Sequence, residues 1–382
     1  MQDVFIISAV RTPIGVGKPE KGALYPITPM DLAAHVLNEA VRRAGIEPAL
    51  VEDVVMGCVT PVGDQGANIA RLATLKAGFP VTVPAVQINR MCGSSQQAIH
   101  FAAQEILAGD MDITIGSGIE MMSHQMLGSD YPSSWPADFP YQLVHQGISA
   151  EMMAAKWNLG REALDDFAYK SHLRAGNAMQ AGHLKPQITA VSVPDGAGGT
   201  RKVEHDEGVR FPPDREKMAT LKAVFKEDGV ITAGNSSQIS DGSAAVLLAS
   251  DKAVKKHNLK PLARLVARKV VGSDPVLMLD GPIPASQQVL RRAGLSIADI
   301  DVIEINEAFA SVVLAWQREL DADIEVVNPQ GGAIAHGHPL GATGAALMTK
   351  LVHQLCQNGA RYGLQTMCIG HGMATATIIE RV

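Results

Sequence analysis

Cysteine is scarce in this 382-residue chain: Cys58, Cys92, Cys356 and Cys368 are the only four, and no two form a CxxC pair. That excludes a zinc ribbon and a dense disulfide framework, and it points to a reducing, cytoplasmic setting. Positive charge is also in deficit. The formal net charge of -6 is the wrong sign for a nucleic-acid binder, whose affinity rests on neutralising phosphates, although a local basic groove for one phosphorylated ligand is compatible with it. No apolar run reaches the roughly 18–20 residues needed to span a bilayer. The opening Met1-Gln2-Asp3-Val4-Phe5-Ile6-Ile7 enters a strand at once, so no signal peptide is expected. Nucleotide motifs are missing as well. Gly116-Ser117-Gly118 lacks the third glycine of a dinucleotide fingerprint, Gly370-His371-Gly372 runs into a strand over 375–379 instead of a helix, and there is no P-loop run.

What is present is enough apolar sequence, 46% against 19% charged, to bury one large core or two to three linked ones. Short β-branched runs alternate with small-residue helical stretches: 4–7 before 31–43, then 54–56 before 68–77, which predicts layered α/β structure. The chain also repeats itself. Val41-Arg42-Arg43-Ala44-Gly45-Ile46 is echoed by Leu290-Arg291-Arg292-Ala293-Gly294-Leu295, each followed by an acidic turn and a strand, at 54–56 and 302–305. A small-residue helix and a glycine-rich strand follow in each half, with Gly116-Ser117-Gly118-Ile119-Glu120-Met121 answering Cys368-Ile369-Gly370-His371-Gly372-Met373. Four blocks in one order indicate two copies of one α/β unit. Between them, over 124–230, scattered Pro, Gly, Met and charge mark an inserted lobe. Such an insertion either carries ligand contacts on a rigid scaffold or only decorates it.

Cys92, in Asn89-Arg90-Met91-Cys92-Gly93-Ser94-Ser95, follows an apolar strand and precedes a helix running toward Ala108. A thiolate there faces the positive end of a helix dipole, which lowers its pKa; the plainer alternative is a small buried hydrophobe. In Ala335-His336-Gly337-His338-Pro339-Leu340-Gly341, the proline turns His338 away from helix and sets its imidazole at the mouth of the next one, where a general base can work. His336 suggests a metal pair only if a third ligand is near; a satisfied structural histidine is the other reading. Cys368 ends an apolar strand at 363–367 and meets Gly370-His371-Gly372, whose backbone N–H groups are natural oxyanion donors. In Asn306-Glu307-Ala308-Phe309, Asn306 can orient a water and Glu307 can anchor a histidine, or Asn306 can simply cap a helix.

Taken together, Cys92, Asn306-Glu307-Ala308-Phe309, Gly337-His338-Pro339 and Cys368-Ile369-Gly370 resemble the motifs of the thiolase family, in the family's order and across essentially the whole chain. The resemblance implies an α/β fold with a duplicated five-layered α/β/α/β/α core. Its N-terminal half would cover 1–123, completed by 231–260; a CoA-binding lobe would cover 124–230, and the C-terminal half 261–382. It implies Cys92 as the acylated nucleophile, His338 as its base and Cys368 as the second acid/base. Asn306, through a water, and His338 would hold one thioester oxygen, and the N–H groups of Cys92 and Gly370 the other. CoA, a substrate and not a bound cofactor, would meet Ser237 and Ala233 at its pantetheine arm and Arg210 at its adenine, with His145, Met278 and Phe309 lining the pocket. No metal is expected. A homodimer or homotetramer is implied, and fatty-acid oxidation leaves room for a hydratase/dehydrogenase subunit.

The chain departs from the family pattern in four places. His371 stands where glycine is usual, Met373-Ala374 replaces Gln-Gly, His336 replaces an aliphatic residue, and Gln146 replaces a frequent methionine. Two unusual histidines in adjacent catalytic loops raise the expectation that His336 and His371 polarise one site together. Gln96-Gln97 and Leu279-Asp280-Gly281-Pro282 lean toward degradative 3-ketoacyl-CoA cleavage, extending to bulky or steroid-derived chains, over acetoacetyl-CoA synthesis. A ketoacyl-synthase-type condensing enzyme fits less well, given Cys368 and the Asn306 run. From another class comes a non-catalytic acyl-CoA carrier.

Overall fold

The repeated Arg-Arg-Ala-Gly blocks end their helices in the same way. Helices Pro29–Ala44 and Pro282–Ala293 stop at Gly45 and Gly294, with φ of 68° and 70°. The glycine N–H groups return to Arg42 and Arg291, and Ile46 and Leu295 reach back to Val41 and Leu290. Glycine takes that left-handed turn without strain. One 3-10 turn then leads each chain segment into a parallel strand.

The computed structural model describes residues 3–382; Met1 and Gln2, with that part of the opening expected to enter a strand, lie outside the described residues. Its strands are β1 (Val4–Arg11), β2 (Gly15–Val16), β3 (Asp53–Gly57), β4 (Ala85–Ile88), β5 (Ile113–Met121), β6 (Val191–Pro194), β7 (Thr200–Val203), β8 (Ser240–Ser250), β9 (Ala263–Gly272), β10 (Val302–Ile305), β11 (Tyr362–Ile369) and β12 (Met373–Arg381). The N-terminal half runs β4-β3-β5-β8-β1 and the C-terminal half β10-β11-β12-β9. At the place of β4 in the second half, Val327 bridges Ile303 in parallel. Both halves share the same mixture: β3 is parallel to β4 and β5, β10 is parallel to β11, and the remaining neighbours are antiparallel. The halves meet where β1 pairs with β9 at only Phe5↔Arg264 and Ile6↔Ala263.

Helices Pro29–Ala44 and Ile69–Lys76 cover the outside of the first sheet, and Pro282–Ala293 and Ala310–Leu320 the outside of the second. Ser94–Ala108 and Leu340–Asn358 lie between the sheets, buried on nearly every side, with Ala98, Ile99, Ala102, Ala345, Met348 and Leu351 in one apolar cluster. The five layers expected from the resemblance are therefore present. One detail of the repeat shifts. Val54 pairs with Ile115 and, at the equivalent place, Ile303 with Leu364, so Gly116 answers Gln365, and Cys368 answers Ile119. The glycines of β5 mislead the alignment because they serve close packing in one half only: a Cβ on Gly116 would come within 2.6 Å of the Ile99 backbone.

The chain leaves the first sheet after Met121 and returns at Ser240. The segment between them holds helices Gln146–Lys156 and Arg161–Gln180 and the β6–β7 hairpin. It is seated across both halves: Met153, Leu164 and Phe167 pack with Val312 and Trp316 of the second half, and Val191 and Val193 with the first. Gln96 is a buried tie from a central helix to the far sheet, with Nε2 donating to Thr377 Oγ1 at 2.8 Å and Oε1 accepting from Thr375 Oγ1 at 2.7 Å. Leu279 is buried in the apolar cluster of the second half. Gln96 and Leu279, which lean the sequence toward degradative cleavage, therefore also have packing roles. No helix among the described residues is long and apolar enough to cross a membrane.

Candidate active site

Cys92 and His338 each stand two residues ahead of a central helix, Cys92 before Ser94–Ala108 and His338 before Leu340–Asn358. The turn before Cys92 is tight, with Met91 at φ 44°, and Ser94 Oγ closes it by donating to the Met91 carbonyl at 2.6 Å. Before His338 the chain turns at Gly337, φ 112°, where a Cβ would fall 2.2 Å from Ser240 Oγ. Only glycine fits there. Glu120, from the end of β5, ties the segment after β3 to the start of the helix that follows His338: its carboxylate accepts from the N–H groups of Val59 and Gly341 at 2.8 and 2.9 Å and from Thr60 and Gln65 at 3.1 Å. Burial raises its pKa against those four donors.

The imidazole of His338 is 4% exposed, and its tautomer follows from its neighbours. Thr343 Oγ1 donates to the Pro339 carbonyl at 2.9 Å, so towards His338 Nδ1, 2.6 Å away, it can only accept. Nδ1 therefore carries the proton, and Nε2 is left with a lone pair that faces Asn306 Nδ2 at 3.4 Å. Burial holds the imidazole pKa down to about 4. At neutral pH it is an uncharged base.

The expectation for Cys92 needs correction. Its position at a helix N-terminus is as expected, but burial outweighs that field and pushes the thiol up to about 11, against donors that pull it down: the N–H groups of Gly370 and Cys92 itself and the side chain of Gln146. Cys92 therefore rests as a thiol, and to act as a nucleophile it would need a base. Cys368, the penultimate residue of β11, is likewise held protonated by burial, and a charge on Cys92, when it forms, would raise it further. The two thiols are thus near enough to be electrostatically coupled. Asn306 Oδ1 is buried without a protein partner, leaving it free to bind water. The same residue does not cap a helix, since Phe309 precedes Ala310–Leu320. Nor does Glu307 anchor a histidine: its carboxylate accepts from Ser171 Oγ at 2.6 Å, Asn328 Nδ2 at 2.9 Å and Ile334 N–H at 3.1 Å, bracing the loop that leads to His338.

The two unusual histidines do not share a site. His336 lies 2.7 Å from Asp206 Oδ2 through Nδ1, at an angle too bent for an aligned hydrogen bond, and Nε2 contacts the Gln330 carbonyl at 2.8 Å. Asp206 also takes both guanidinium N–H groups of Arg11, at 2.7 and 2.9 Å. This buried cluster joins β1, the lobe and the His338 loop. His371, in a left-handed turn at φ 63°, instead lies against the rings of Tyr131 and Trp135, at 6.0 and 5.9 Å. Contact distances decided this, and nothing in the two sequence motifs carried it.

Of the expected pocket residues, the structure brings several together. Ser237 N–H donates to the Ala308 carbonyl at 2.9 Å, next to Phe309. Phe225, which sequence reasoning missed, joins Phe309 edge-on at 6.0 Å to His145 stacked at 5.1 Å. Ala233 is exposed on the same loop as Ser237. Met278 is buried at φ 62° in a loop held to helix Gln146–Lys156 by Ser149 Oγ, which donates to the Val276 carbonyl at 2.8 Å. Arg210 is exposed and set apart; its N–H donates to His172 Nδ1 at 3.2 Å.

Two thiols and a neutral imidazole, gathered at the seam of a duplicated α/β core beside backbone N–H donors, define a cysteine-dependent acyl-transfer enzyme. Residues 4–252 match the thiolase N-terminal domain and 259–381 the thiolase C-terminal domain. The chain belongs to the thiolase family. It is 46% identical to the steroid 3-ketoacyl-CoA thiolase FadA6 of Mycobacterium tuberculosis, covering 100% of this chain and 95% of that protein. To the 3-ketoacyl-CoA thiolase of Erwinia tasmaniensis it is 42% identical with full coverage of both. The solved structure of human mitochondrial 3-ketoacyl-CoA thiolase superposes with a TM-score of 0.91 at 36% identity, covering 100% of this chain and 99% of that one. The acetyl-CoA acetyltransferase of Bacillus anthracis gives 0.92 at 37%, with the same coverage.

Proposed function

We propose that this thiolase is an acetyl-CoA C-acyltransferase that cleaves 3-ketoacyl-CoA into acetyl-CoA and a shortened acyl-CoA. The observation that carries the reading is the pair of coupled, buried thiols, Cys92 and Cys368, together with an uncharged His338. His338 Nε2 takes the Cys92 proton, and the thiolate attacks the 3-keto carbon. The bond from that carbon to the α-carbon breaks, its electron pair passing into the enolate of acetyl-CoA, and Cys368 delivers a proton to the α-carbon. Free CoA then gives its thiol proton to the Cys368 thiolate and attacks the acyl-enzyme. Cys92 leaves and recovers its proton from His338. Asn306 through a water and His338 serve one thioester oxygen, and the Cys92 and Gly370 N–H groups the other.

The names of the relatives at 41–46% identity favour degradation over acetoacetyl-CoA synthesis. A bulky acyl chain is favoured by the aromatic wall of Tyr131, Trp135 and Phe139 beside His371. CoA would lie along Ser237, Ala233, His145, Met278 and Phe309, with Arg210 toward its adenine. A homodimer would form along the free edge of β4, where Val81, Val86 and Phe101 are exposed. The test is CoA-dependent loss of 3-ketoacyl-CoA of short, medium, long and steroid-like chains, with Cys92→Ala as control. Ping-pong kinetics extending beyond acetoacetyl-CoA are expected. Activity on acetoacetyl-CoA alone would favour the acetyltransferase, and CoA binding with no activity on any chain the acyl-CoA carrier.

A further inference from the structure

Gln146 is the departure from the family pattern that lands at the nucleophile. It opens helix Gln146–Lys156, directly after His145, whose Nδ1 accepts from the Gly147 N–H at 3.1 Å. That turn is held from several sides. His145 stacks on Phe225, a Cβ on Gly147 would fall 2.1 Å from the same ring, and Glu151, one turn further on, accepts from the Val230 and Ile231 N–H groups at 3.0 and 2.8 Å. From this fixed base the amide reaches the catalytic loops. Gln146 Nε2 lies 3.3 Å from the point a Cβ on Gly370 would occupy, and Met91 Cγ lies 3.5 Å from that point. The amide and Met91, the residue preceding Cys92, thus both flank Gly370.

We propose that Gln146 is a further catalytic residue of this enzyme, a side-chain N–H donor that joins the Gly370 and Cys92 N–H groups in stabilising negative charge on the Cys92 sulfur. A methionine has no hydrogen to give, so a chain with methionine here has two donors where this one has three. A donor matters more in this site than in water because the sulfur is buried and charge on it is otherwise unsolvated. The amide contributes at the two moments when sulfur is anionic: after His338 removes its proton, and when CoA expels it from the acyl-enzyme. The first contribution is a property of the thiol alone, whereas the second rests on the thiolase reading above. The Gln146 side chain already acts against burial in setting the thiol's acidity.

The experiment compares iodoacetamide alkylation of Cys92 against pH in the full-length wild type, Gln146→Met and Gln146→Glu, followed by mass spectrometry of the Cys92 peptide. His338, Cys368, Glu120, Tyr131 and Arg90 surround the thiol in all three proteins, so a difference between profiles isolates residue 146. Gln146→Met is expected to move the alkylation midpoint up by about one pH unit, a roughly tenfold smaller thiolate fraction at neutral pH. Gln146→Glu should move it further, since a carboxylate adds like charge. Thiolysis by Gln146→Met should lose about tenfold in kcat with little change in KM for the acyl-CoA. Superimposable profiles for wild type and both variants, with unchanged melting temperatures, overturn the proposal. If Gln146→Met folds poorly, the Gln146→Glu profile decides. A wild type that alkylates with the expected profile but cleaves no 3-ketoacyl-CoA would sink the thiolysis reading while leaving the donor role supported.

Discussion

The two central helices occupy the same place in the two repeats, and each presents a side chain two residues before its first turn. One presents a thiol and the other an imidazole. Burial acts on them in opposite directions, raising Cys92 to about 11 and lowering His338 to about 4, because a buried site disfavours the charged form of either group. Between those values the resting pair is neutral. Duplication therefore accounts for the symmetrical placement, and exclusion of water accounts for the chemistry: the proton moves when a substrate supplies a reason for the sulfur to become an anion. A permanent thiolate–imidazolium pair is a different design, and this site is not built for it.

The largest break in that comparison comes from its imidazole side. His338→Asn is expected to lower acyl-enzyme formation by roughly 10²–10⁴-fold, the usual worth of a positioned base, as read in rapid-quench experiments. A loss below tenfold would mean that another group takes the thiol proton.

Next in size is an acid-side effect on stability. Folded His338 binds its proton near pH 4 and the unfolded residue near 6.5, so between those values the unfolded state holds more protons. Stability is full above about pH 6.5 and is lost as pH falls through about 4, by of the order of 3 kcal/mol from this residue. His338→Asn should flatten that decline in urea titrations. His100 and His172, also lowered by burial, to about 3 and about 4, keep part of it in place. An unchanged slope would sink the assignment of a neutral buried imidazole.

The smallest effect sharpens the comparison through its tautomer. Thr343→Val keeps shape but removes the oxygen that accepts from Nδ1–H. The expected result is about a tenfold fall in kcat, the size of one lost hydrogen bond, with KM nearly unchanged and a mixed tautomer in the imidazole nitrogen NMR spectrum. A single Nδ1–H tautomer in that variant would show that Thr343 does not select it.

Much of this was legible in the chain. The repeated Arg-Arg-Ala-Gly blocks marked equivalent helix ends because a left-handed terminus calls for glycine wherever it occurs. Cys92, His338 and Cys368 could be picked out because each sits at a junction between strand, turn and helix that leaves local traces. Glu307 was legible as a residue but not as a brace, since its partners Ser171, Asn328 and Ile334 come from three separate segments. Phe225, Thr343 and Glu120 left no signal of their own. Gln96 was legible beside the nucleophile but its role as a tie was not, since only the far sheet reveals the threonines it binds.

By itself, then, the sequence determined the alternation of strands and helices and the duplication, and it singled out Cys92, His338 and Cys368 as candidates, because periodicity, turn chemistry and motif order are local properties of a chain. Tertiary structure alone decided the protonation states and the tautomer, and it separated His336 from His371. It also brought Gln146 to Cys92 from 54 residues further along the chain. Those depend on which groups lose water and which partners cross from one half to the other, and no stretch of sequence contains both sides of such a contact.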